Sequence, residues 1–138
     1  MIIELLYEEI EDYLRTHQGV ELSLSYVSTQ TIRMETEVKK MFIKLHIEID
    51  ITIDKLAGND LYLHYSFPSA TKDKIVKLIL PFLHTTISRK LPMVELLDDC
   101  NVIVHIEKIN KLEKALQLLE LKNITTTSHN LALTIKIK

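Results

Sequence analysis

Tryptophan is absent from this 138-residue chain, glycine occurs twice, proline three times and cysteine once. Each scarcity excludes something. With only Gly19 and Gly58 there is no glycine-rich loop to wrap a phosphate, which rules out nucleotide binding by that route. A lone Cys100 cannot close an internal disulfide, so the fold does not depend on an oxidising compartment. No apolar run approaches the roughly 18 residues of a membrane-spanning helix. The first residues, Met1-Ile2-Ile3-Glu4-Leu5-Leu6-Tyr7-Glu8-Glu9, lack the basic start and long apolar core of a signal peptide. A soluble, cytoplasmic protein is the expectation. Nor is there an excess of positive charge: 17 Lys+Arg stand against 19 Asp+Glu, a net −2, whereas nucleic-acid binding needs a basic footprint.

What is abundant is aliphatic. Ile, Leu and Val supply 47 residues, and the hydrophobic and charged fractions, 46% and 26%, are those of a globular protein. The length suits a single domain over 1–138, and few punctuating residues favour long regular elements.

Apolar residues at Ile2, Ile3, Leu6, Ile10, Tyr13 and Leu14 predict a helix over 2–15, closed by Gly19 and acidic on its polar face. From Val20 to Tyr26 the period drops to two, which predicts a strand. Residues 30–38 continue extended with their apolar phase on even positions. After Lys39-Lys40 the phase moves to odd positions, so a turn or bulge is needed there. Met41, Ile43, Leu45, Ile47, Ile49, Ile51 and Ile53 then alternate with polar residues without an error. From Ile43 to Asp54 this strand would run about 40 Å at about 3.3 Å per residue, one face aliphatic and the other polar. Ala57-Gly58-Asn59-Asp60 supplies a turn, and Leu61, Leu63, Tyr65 and Phe67 return as its hairpin partner.

Pro68 to Thr71 breaks the strand, with Ser69 or Thr71 as a helix N-cap. Segment 72–91 reads as a long, broadly apolar helix bent at Pro81, its charges +4 against −4 for the first helix. Residues 93–98 read as a helical turn or loop, 101–107 as a strand, 109–119 as a short helix, and the tail as a hairpin about Ser128-His129-Asn130. The fold class expected is therefore α+β. It consists of a curved, mainly antiparallel sheet of about five to seven strands, whose one apolar face packs on the N-terminal helix and the long Pro-kinked helix.

Chemistry is harder to find. His46, Glu48 and Asp50 share one strand face, and His64 from the hairpin partner would have to complete a metal set. A mixed polar row is also what any solvent-facing strand shows, so no metal is assigned. Cys100 follows two aspartates that disfavour its thiolate, and although His105 lies five residues on, the pair reads as structural rather than nucleophilic. His17, His84 and His129 have no spaced partners. No catalytic residue and no cofactor is expected, and the protein reads as a non-enzyme.

The order from Met41 onward is a long amphipathic hairpin, then Lys72 to Leu91 with Pro81, then Leu91-Pro92 and further amphipathic strands (Val102 to Ile109, Leu131 to Ile137). This layout resembles tubular lipid-binding (TULIP-like) domains, and the resemblance implies a curved sheet wrapped on a long helix with lipid between them. The aliphatic inventory suits the same function, since an apolar lining without placed polar groups accommodates an acyl chain. The expected function is thus a non-enzymatic binding protein for a lipid or other apolar ligand. Its lining would be Ile47, Ile49, Ile51, Leu63, Tyr65, Ile79, Phe82 and Leu83. An ordinary solid core explains the same pattern. The alternative function is a homodimeric protein-interaction module using an open sheet edge or the exposed side of the kinked helix.

Overall fold

Period-two segments become strands, and in the computed structural model they sort into two sheets. The structure describes residues 1–40, 42–68, 73–109 and 112–138. The elements are β1 (Ile2–Leu6), α1 (Tyr7–Gln18), β2 (Ser23–Ser28), β3 (Thr31–Lys40), β4 (Ile43–Ala57), β5 (Asp60–Ser66), α2 (Asp73–Lys90), β6 (Val94–Leu96) and β7 (Asn101–His105). They continue with a 3-10 turn (Ile106–Lys108), α3 (Glu113–Leu118), β8 (Leu119–Thr126) and β9 (Asn130–Ile137). The larger sheet has the order β2-β3-β4-β5-β7-β6 and the smaller β1-β9-β8, with antiparallel pairing throughout.

This overturns the expected α+β class. The chain is predominantly β, and the single sheet covered by helices is replaced by two sheets. The tail hairpin does not extend the main sheet. Instead Leu121, Ile124 and Ile135 form a core with Ile106, against which Ile53, Leu56 and Leu61 of the main sheet pack. The N-terminal helix is also shorter than expected, because residues 2–6 form a strand. Helical spacing of Ile2, Ile3 and Leu6 loses to the free edge of β9, which pairs in register from Ile2↔Thr134 to Leu6↔Asn130. α1 begins only at Tyr7, where the Glu9 carboxylate accepts the Leu6 N–H at 3.2 Å, and ends at Gly19 in the left-handed conformation (φ 65°).

Two bulges keep the apolar faces intact. Between Ile53 and Lys55 the register shifts, so Asp54 is extra and Leu56, an even position, lands opposite Leu61 on the face that Ile53 occupies. The shift between Leu121 and Asn123 does the same for Leu121 and Ile124, both buried. The phase change after Lys40 is a turn: β3 ends there, and Lys40 pairs with Ile43.

α2 carries Pro81 within it, and the Lys90 ammonium donates to the Gly19 carbonyl at 3.1 Å. The N-cap expected at Ser69 or Thr71 lies outside the described residues. Residues 94–96, expected as helical turn or loop, form β6 and return through a tight turn to β7. That turn hid itself by lacking glycine: Asp99 (φ 57°) and Cys100 (φ 62°) both take the left-handed conformation that a type I′ hairpin demands.

Candidate functional site

The long β3–β4 hairpin separates an aliphatic face from a polar one, and each holds part of what the sequence singled out. On the aliphatic face Ile47 is 0% exposed and Ile49 is buried beside it, with Met34, Ile51, Tyr65 and Phe67 packed around them. Tyr65 stacks edge-on against Phe67 at 6.0 Å between ring centres. Burial, and then the neighbouring Cys100, push the Tyr65 hydroxyl pKa up. Leu63 is half-buried opposite Ile53, where the face passes to the second core. Four of the expected lining residues are thus brought together and Leu63 adjoins them. Ile79, Phe82 and Leu83 fall in α2, and their side chains lie outside the described residues.

On the polar face, direct cross-strand pairs set the neighbours. Arg33 lies opposite Asp50, Glu35 opposite Glu48, and Glu37 opposite His46. Arg33 grips Asp50 through Nε at 2.8 Å and Nη2 at 3.3 Å, and the hydrogen bond and charge of Asp50 raise the guanidinium pKa. His46 Nε2 lies 3.5 Å from Glu35 Oε2 and 3.6 Å from Glu48 Oε1. An open groove of about 500 Å³ runs beside this cluster between α1 and β2–β4, lined by Glu11, Arg15, Glu21, Glu35, Glu37 and His46. His64 does not join it. It pairs with Thr52, six residues or roughly 20 Å along β4 from His46, and its Nδ1 bonds Asp54 at 2.6 Å. Asp50 is taken by Arg33. The member the sequence reading missed is Glu35, which only the β3–β4 register could have supplied.

His105 is engaged twice, and neither nitrogen is free for Cys100. Nδ1 meets Asp60 at 2.8 Å and Nε2 meets Glu95 at 2.9 Å, so one imidazole ties β7 to both neighbouring strands. The bond to Asp60 and then that to Glu95 raise its pKa above 6.5, against desolvation and Lys108. The sign follows from linkage: a raised folded pKa means stability fully present below pH 6.5 and lost as pH rises through the folded value. His105→Gln should therefore lower Tm most near pH 6, and its deficit should shrink as the pH rises above the folded pKa. Thermal melts of both proteins from pH 5.5 to 9 check this; a deficit that does not change with pH would contradict it.

No helix among the described residues is long and apolar enough to cross a membrane. Comparison with protein-family models, curated proteins and solved structures finds no match.

Proposed function

We propose that the protein is a non-enzymatic binding protein for a lipid or similar apolar ligand, held against the aliphatic face of β4 and β5. The observation that carries this reading is the rim around Ile47 and Ile49. Met34, Ile51, Tyr65 and Phe67 are apolar or aromatic and only partly buried, a contiguous surface suited to an acyl chain.

Native and denaturing mass spectra of the protein purified from cells test it. The expected result is an added mass of a few hundred daltons that disappears on denaturation, together with saturable binding of a dansylated fatty acid. Ile51→Asp should weaken that binding at least tenfold, because a carboxylate on the rim opposes an apolar ligand. A bare polypeptide mass with no probe binding overturns the proposal.

A second reading, a self-associating interaction module, is favoured by one feature. β1 is an edge strand whose Ile2 and Leu6 are 65% and 45% exposed. A dimer peak in the same native spectrum that disappears in Ile2→Lys would support it.

A further inference from the structure

We propose that Glu35, His46 and Glu48 form a binding site for one divalent transition-metal ion of the zinc class. The site is independent of the apolar ligand, since it lies on the opposite face of the same hairpin.

Three observations converge. The first is spacing. The ligand atoms of the three side chains all lie within 4.8 Å of one another, and the two separations from His46 Nε2 are 3.5 and 3.6 Å. Those are longer than the roughly 2.7–3.2 Å of an N–H···O hydrogen bond. They approach the edge of a zinc tetrahedron, which is about 3.4 Å when metal–ligand bonds are about 2.0–2.1 Å.

The second is contrast within the molecule. His64 and His105 also face carboxylates, and both close onto them at 2.6–2.9 Å. His46 instead stands off from two carboxylates at once, at nearly equal distance, and makes no hydrogen bond to either.

The third is charge. Glu35 and Glu48 face each other directly across antiparallel strands, an arrangement that costs stability when nothing offsets it. Of the nearby cations, Arg33 feels the charge of both glutamates but spends its hydrogen bonds on the two oxygens of Asp50, and Arg15 across the groove is bonded to Asp12. Among the described residues the only ion-pair partner of either glutamate is His46, which stands off from both. A divalent cation between the two carboxylates and the imidazole resolves the repulsion. One imidazole and two carboxylates suit zinc, cobalt or iron(II). The groove bordered by Glu35 and His46 leaves a further coordination position accessible to water or a small ligand.

Calorimetric titration of zinc chloride into EDTA-treated protein at pH 7.5 tests the site. The expected result is one zinc per chain. Affinity should fall at least tenfold in His46→Gln and Glu48→Gln. Cys100→Ser and His64→Gln should bind as wild type. Glu35→Gln separates site loss from unfolding: it should bind zinc poorly while its metal-free Tm equals or exceeds that of the wild type, because one of two opposed charges is gone. Cobalt added to the wild type should develop visible absorption that His46→Gln lacks. No zinc uptake at tenfold excess overturns the proposal, as does uptake that survives His46→Gln or disappears in Cys100→Ser or His64→Gln.

Discussion

Ile47→Ala is expected to cost about 2–5 kcal/mol of folding stability, the largest loss of any single aliphatic truncation in the first core. Among the described residues Ile47 is the one large side chain that is fully buried. Removing three of its carbons forfeits their transfer free energy and leaves a cavity, and its strand is fixed by pairing to β3, Ile47 itself opposite Thr36, with Ile49, Met34, Ile51, Tyr65 and Phe67 packed around it. Such a frame has little freedom to collapse into the space. Urea unfolding monitored by circular dichroism should show the midpoint fall with its slope unchanged. Ile51→Ala, at the half-buried rim, should cost less. A loss for Ile47→Ala below about 1 kcal/mol would mean that the site repacks freely, against the rigid frame argued here.

Thr126→Val comes next, at about 1–3 kcal/mol. Thr126 is the buried polar residue where the two sheets meet. Its hydroxyl accepts the Gln30 N–H at 2.7 Å and donates to the Ser28 carbonyl at 3.1 Å, while the Gln30 side-chain amide donates to the Ile124 carbonyl at 3.2 Å. Gln30 itself takes a left-handed backbone (φ 69°), and its carbonyl accepts the Ile53 N–H at 2.8 Å. One hydroxyl therefore pins the β2–β3 turn of the large sheet to β8 of the small one. Valine matches its shape but leaves the Gln30 N–H unpaired. Thr126→Ser keeps the hydroxyl and should retain most of the stability lost in the valine variant. Hydrogen exchange at the Gln30 amide should accelerate only in the valine variant. Equal stability of the serine and valine proteins would show that the hydroxyl is dispensable.

The elements legible from the chain were those decided locally. Unbroken alternation from Ile43 to Ile53 requires a strand with one aliphatic face, and Ala57 to Asp60 requires a turn, because Gly58 meets the positive φ of 62° there without steric cost. Gly19 closes α1 for the same reason, and the tail hairpin follows from alternation on both sides of Ser128 and His129. Even the need for a turn after Lys40 was readable, since an apolar phase cannot change parity within a regular strand.

Tertiary structure decided the rest, through contacts between residues far apart in the chain. Residues 2–6 satisfy helix and strand patterns alike, and the open edge of β9, more than 120 positions away, settles them as β1. β6 is too short to announce itself and exists because β7 offers it hydrogen bonds. The second sheet lies on the first because Leu121, Ile124 and Ile135 need an apolar surface, and the bulge at Asp54 turns Leu56 toward them. The polar cluster follows the same rule. His46 and Glu48 share a face by parity alone, but their third partner is Glu35 rather than His64, because register, not residue type, determines which side chains meet across a sheet.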